Sequence, residues 1–229
     1  MKTKFTHYFT RLERLLLFSS LILILLSFFL FDRENYMTLV ASILGVCSLI
    51  LGAKGNPLGP LLMIVFSILY AVISFTFAYY GEMITYLGMS APMAAFSLFV
   101  WLKNPYNGNK SEVRAARLRH TDLFRMLLYS ALVTVGFYFV LQWLGTANLI
   151  PSTVSVTTSF AAAYLTYRRS PYFALAYALN DLILIVLWVL AAIEDISYVS
   201  VIICFVVFLI NDLYGFVNWK KMQRRQEGA

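Results

Sequence analysis

Charge is scarce in this sequence. Asp, Glu, Lys and Arg make up 13% of the 229 residues, against about a quarter in a soluble domain. A surface that faces water all round is therefore excluded, and 61% hydrophobic residues with a mean hydropathy of +0.76 agree. Cysteine is nearly absent: Cys47 and Cys204 lie inside apolar runs, where a thiol behaves as a small hydrophobe, so no disulfide framework is available. Histidine occurs only at His7 and His120, far from either cysteine, which excludes a zinc cluster. Also missing are a G-x-x-x-x-G-K-[ST] phosphate loop, an H-E-x-x-H metal pair and a G-x-S-x-G nucleophile elbow. The sequence is read as that of a non-enzyme with no cofactor and no ATP-driven pump of its own.

What is present is a series of long apolar runs. A helix rises about 1.5 Å per residue, so crossing a hydrocarbon core of about 30 Å takes roughly 20 residues. Eight segments approach that length: 15–31, 36–53, 57–80, 83–102, 123–145, 149–167, 171–192 and 197–219. The pattern predicts an all-α integral membrane protein with about eight transmembrane helices. The first run follows Lys2, Lys4, Arg11 and Arg14 and meets Asp32–Glu34 without a small-residue cleavage pattern, so it reads as a signal anchor.

Cytoplasmic loops retain Lys and Arg. With the N-terminus inside, every Lys and Arg except Arg33 falls on the cytoplasmic side, while Asp32, Glu34, Glu82, Glu194 and Asp195 fall outside. Both termini are thus expected in the cytoplasm. The net charge of +7 is topological, and the expected partner is the lipid bilayer rather than nucleic acid.

Two stretches share punctuation. Asn56-Pro57 opens the third span and Ser170-Pro171 the seventh; acidic turns at Glu82 and Glu194-Asp195 follow, and the next spans end at Trp101 and Trp219. This pairs spans two to four with spans six to eight as parallel three-helix repeats, a 3+1+3 core with one extra N-terminal helix. The expected segments are 1–35 (N-terminus and extra helix), 36–102 (first repeat), 103–148 (cytoplasmic linker and linker helix), 149–219 (second repeat) and 220–229 (basic tail). The linker is expected to be partly helical from Ser111. Trp101, Trp143 and Trp219 read as interfacial belt residues, and Phe75–Tyr80 as either a vestibule wall or a belt.

Polar side chains inside a bilayer cost a few kcal/mol unless they face a polar interior, which makes them functional candidates. They concentrate in the second half: Asn180, Asp181 and Trp188 on span seven, and Asn211, Asp212, Tyr214 and Asn218 on span eight. Asp181 and Trp188 share one helical face, as do Asn211, Tyr214 and Asn218. Asp181 and Asn211 lie at similar depth and are expected to converge with Trp188 and Tyr214 on one site. Rings offer stacking faces and amides bond hydroxyls, while a carboxylate suits a cationic ring. A purely structural role in tying helices together is the alternative.

The last fifty residues, Asn180-Asp-Leu-Ile-Leu-Ile-Val-Leu-Trp188 and Asn211-Asp-Leu-Tyr214-Gly-Phe-Val-Asn-Trp219, resemble the PnuC family of bacterial nicotinamide riboside (vitamin B3) transporters. The resemblance covers nearly all of the chain from about residue 36 and implies a SWEET-like 3+1+3 core in the bacterial inner membrane. The Asn211-x-x-Tyr214 spacing resembles a substrate-site motif on that family's last helix. One departure is clear: a second tryptophan three residues from Trp188 is replaced by Ile185 and Ala191. The resemblance implies facilitated diffusion drawn by intracellular phosphorylation of the substrate, with a cytoplasmic kinase as functional partner, and leaves a homo-oligomer open. Competing expectations are the same fold carrying thiamine, riboflavin or a deoxynucleoside, a membrane-embedded enzyme or sensor, and a subunit of an ATP-driven importer.

Overall fold

The computed structural model describes residues 8–76, 80–146 and 148–228, and eight long helices account for most of them. Lys2, Lys4, His7 and the middle of the Phe75–Tyr80 stretch lie outside the described residues. The helices are α1 (Arg11–Phe31), α2 (Tyr36–Ala53), α3 (Leu58–Thr76), α4 (Tyr80–Lys103), α5 (His120–Trp143), α6 (Leu149–Tyr167), α7 (Tyr172–Ala192) and α8 (Val199–Glu227). Their starts are chemically marked. Thr10 and Glu13 form a reciprocal capping box on α1, and the Asn35 side chain accepts from the Thr38 N–H on α2.

Seven of the eight are long and apolar enough to cross a membrane. The exception is α6, whose 19 residues include Ser152, Thr153, Ser155, Thr157, Thr158, Ser159 and Thr166. At about 1.5 Å per residue its length still matches the thickness of a hydrocarbon core. Its Thr153, Thr157 and Thr166 hydroxyls donate to carbonyls four residues back, so they travel with their partners.

Six helices close into a ring in the packing order α2, α3, α4, α6, α7, α8, and α8 returns to α2. The first helix sits outside, in the groove between α2 and α8, and α5 lies outside against α6. A glycine lets one side of the ring close tightly: a Cβ on Gly59 would stand 2.7 Å from the Gly52 backbone. On the exposed α5, Trp143 is 84% accessible, as a belt residue should be.

The ring has a basic end, which carries the turns at residues 54–57 and 168–171, and an acidic end. The two basic turns are built alike. Gly55 and Arg169 both have positive φ (67° and 57°), and each donates its N–H to the third carbonyl back, on Gly52 and Thr166. Asn56 and Ser170 then donate to Leu51 and Leu165. Burial, followed by the charges of Arg168 and Arg114, pulls the Arg169 guanidinium below its usual range.

The halves are cross-linked at these turns. Trp101 ends α4 and donates its indole Nε1 to the Thr166 carbonyl of α6 at 3.0 Å; Trp219 on α8 donates to the Gly52 carbonyl of α2 at 2.8 Å. Both rings are buried, 1% and 0% exposed, with centroids 5.3 Å apart. The expectation that they are belt residues is therefore corrected: an indole N–H turns inward when a helix-terminal carbonyl needs a donor. Replacing Trp219 by Phe is expected to remove one of the two donors to the Gly52 carbonyl, which keeps the Gly55 N–H, and to cost about 1 kcal/mol, read as a lower thermal midpoint in detergent.

The connector between α4 and α5 is not helical from Ser111, as expected, but a hairpin of Pro105–Tyr106 against Asn109–Val113. Asn107 and Gly108, both at positive φ, form its tight turn. Beyond it, the Val113 N–H donates to the Gly55 carbonyl and the Ala116 N–H to the Arg169 carbonyl, both at 2.9 Å, so one strap fastens both turns. Nor is 220–229 a separate tail. The last helix continues to Glu227 and grips the strap through Gln226 with Ala115, Glu227 with Arg117, and Arg225 with Glu112.

Candidate translocation site

Cavities lie one above another inside the ring. The central one is lined by Tyr86, Ser90, Ser159, Tyr177, Asn180, Asp181 and Asp212, with Phe66, Phe205 and Phe208 as its apolar wall. Its free volume of about 40 Å³ holds a few waters, whereas a small-molecule pocket needs about 300 Å³ or more. The helices would have to part to admit a small molecule.

Each side chain has a local reason to be there. Asn180 is held by α6, since Ser155, Thr158 and Ser159 all donate to its Oδ1, at 3.3, 2.8 and 3.0 Å. With three hydroxyls on the oxygen, the amide nitrogen is what Asn180 can offer to the chamber. Tyr86 and Ser90 come from a π-helical turn, Tyr86–Ser90, at the middle of α4. Pro92 lacks the N–H that would continue an α-helical ladder, and the widened turn swings both side chains inward. Asp181 and Asp212 face one another, 4% and 5% exposed, and Asp181 Oδ2 has no hydrogen-bond partner.

Above the chamber an aromatic layer separates it from the acidic end. Tyr70 is its centre, with ring centroids 4.5 Å from Tyr86, 6.1 Å from Phe205 and 6.4 Å from Trp188. Beyond that layer Glu82, Asn148, Ser152, Trp188 and Glu194 line a second cavity. Below, Tyr177 and Asp212 also line a third cavity that reaches Gly52, Thr166 and Trp101 at the basic end. An axial series of cavities results, interrupted by one aromatic layer and closed at the basic end by the paired indoles.

Of the six residues expected to form a site, Asn180 and Asp181 lie in the chamber and Trp188 caps it from one layer up. Asn211, Tyr214 and Asn218 are turned away. Asn211 donates to Ser20 of α1 at 3.0 Å and to its own Val207 carbonyl at 2.8 Å; Tyr214 donates to Glu13 of α1 at 3.0 Å; Asn218 donates to the Ala53 carbonyl at 2.8 Å. The expected convergence of Asn211 and Tyr214 with Asp181 and Trp188 is thus corrected. One residue is about 100° on a helix, so when Asp212 faces Asp181, Asn211 faces α1. Sequence reasoning counted Asp212 among the polar candidates of span eight but not among the six site residues, and it did not place Tyr70, Tyr86, Ser90, Ser159 or Tyr177 in the site. Gly88 and Pro92 interrupting a span were the readable signal for Tyr86 and Ser90, and the hydroxyl run of α6 was the signal for Ser159.

A ring of membrane-length helices around an axial line of cavities, with a polar chamber halfway, defines a polytopic membrane carrier. The chain belongs to the nicotinamide mononucleotide transporter family, whose sequence profile matches residues 35–221 and so begins just after α1. It is similar to the nicotinamide riboside transporter PnuC of Neisseria mucosa, with 26% identity over 204 residues, 87% of this chain and 78% of that one. The PnuC protein of Haemophilus influenzae is 23% identical over 194 residues, covering 84% and 82%. A crystal structure of the vitamin B3 transporter PnuC superimposes with a TM-score of 0.83 at 25% identity, over 95% of this chain and 94% of that one.

Proposed function

We propose that this protein carries nicotinamide riboside across a bacterial inner membrane by facilitated diffusion, drawn inward by phosphorylation of the cargo by a cytoplasmic kinase. The observation that carries the reading is the central chamber. It offers a fixed amide for hydroxyls, ring faces for a planar base and two carboxyls with no Lys, Arg or His among the described lining residues, between helices drawn from both halves of the ring. The names of the two relatives support the cargo. The matching turns and crossed indoles support reading 36–102 and 149–219 as parallel repeats, and clustering of Lys and Arg at the basic end supports placing both termini in the cytoplasm.

A second reading, the same carrier with another vitamin or nucleoside, is favoured by Ile185 and Ala191 standing where a second tryptophan would supply a stacking wall. A thermal-shift panel of nicotinamide riboside, thiamine, riboflavin and deoxynucleosides separates the two, because a ligand that binds only the folded state raises its midpoint. Nicotinamide riboside is expected to give the largest shift. In proteoliposomes, exchange of labelled nicotinamide riboside at equal inner and outer concentrations should continue after the proton gradient is collapsed; exchange that stops would rule out facilitated diffusion.

A further inference from the structure

The Asp181 and Asp212 carboxyls are almost wholly buried, and no Lys, Arg or His lines their chamber. The titratable groups that face the pair are Tyr86 from α4, Tyr177 from the same helix as Asp181, and Cys204 from α8, all ordinarily neutral. The elements α2, α3 and α6 line the chamber with no titratable side chain. None of the ion pairs among the described residues includes either aspartate. Two adjacent carboxylates with no cation repel each other and lose hydration, and even one alone is costly in such surroundings. The empty chamber is therefore electrically neutral only when both carboxyls hold their protons.

A planar cation changes that balance. Resting on the proposed reading of the site as a cargo chamber, we propose that the Asp181–Asp212 pair selects positively charged cargo by exchanging one of its protons for the charge of the entering ring. One carboxylic O–H bond breaks, its electron pair stays on the carboxylate as counter-ion to the ring, and the proton passes to water on the side of entry; a proton from the side of exit restores the pair after release, so that at equal pH on both sides the only inward draw is the phosphorylation of the cargo. One positive charge enters and one leaves. The second carboxyl keeps its proton and hydrogen-bonds the new carboxylate. A neutral ring of the same shape gains nothing from the exchange, and an anion loses its hydration with no counter-charge to replace it.

Titration calorimetry of the wild-type protein, run in buffers of different ionisation heat, counts the protons released. The probes are two cations, nicotinamide riboside and thiamine, and two neutral molecules, reduced nicotinamide riboside and riboflavin. The cationic ligand is expected to release about one proton and to tighten up to tenfold per pH unit while the pair is protonated. The reduced riboside should bind at least tenfold more weakly, with no pH dependence. Without any ligand, infrared difference spectra of wild type against Asp212→Asn at neutral pH should show the C=O stretch of a protonated carboxyl. Cation binding with no proton release, a missing infrared band, or riboflavin as the tightest ligand would each overturn the proposal. Thiamine as the tightest ligand, with one proton released, would overturn the proposed cargo and leave the charge exchange standing.

Discussion

Glu13→Gln is expected to cost about 3 kcal/mol. Glu13 is 1% exposed. Both of its carboxylate oxygens lie 3.0 Å from the Lys54 ammonium, itself only 17% exposed, and they also accept from the Tyr214 hydroxyl at 3.0 Å and the Thr10 N–H at 2.7 Å. Removing one partner of a buried ion pair leaves the other charge uncompensated, which is far worse than removing both. The thermal midpoint in detergent should fall on the order of 10 °C. Adding Lys54→Met should restore most of the loss. A double variant that simply sums the two single losses would show that the pair is not coupled.

The other large effect is expected at Gly59. A methyl there would stand 2.7 Å from the Gly52 Cα and N and 3.1 Å from the Ser48 carbonyl, and backbone cannot rotate away as a side chain can. Gly59→Ala must push α3 off α2 and break the 2.8 Å bond from Ser48 Oγ to the Gly59 carbonyl. A loss of roughly 3 kcal/mol is expected, at the upper end of overpacking costs. Gly52→Ala is the matched control, since a Cβ at Gly52 meets nothing within 4 Å. Fluorescence-detected size exclusion should show Gly59→Ala aggregating and Gly52→Ala behaving as wild type; equal behaviour of the two would disprove the close approach.

The difference between what the sequence disclosed and what it concealed has physical causes. Span positions follow from local hydropathy, and all eight expected segments overlap the helices found. The α6 helix was legible by its length but not by apolarity alone, because its hydroxyls are satisfied by its own carbonyls. The Asn107-Gly108 hairpin was written in the sequence and passed over in favour of the helix-forming run after it. Depth along α7 and α8 could be counted, and it put Asp181 and its α8 neighbours at one level. Rotation about the helix axis could not be counted. It depends on α1 lying against α8, where Ser20 and Glu13 take up Asn211 and Tyr214. Burial of Trp101 and Trp219 was hidden for a similar reason: their acceptors, Thr166 and Gly52, are 65 and 167 residues away in sequence.

The fastening at the basic end makes the two directions of opening unequal. Parting the halves there must break two indole bonds, Trp101 to Thr166 and Trp219 to Gly52, and stretch or release the strap at Val113 and Ala116. Parting them at the acidic end disturbs none of these four. At about 1 kcal/mol net per hydrogen bond these four add about 4 kcal/mol to the cost of opening at the basic end, whereas the acidic end is closed by the ring contacts of Tyr70. An empty carrier would then wait with its acidic end as the readier door. Opening at the basic end would be the slower half of each cycle, at a rate set by how often two tryptophans and sixteen residues of connector let go together.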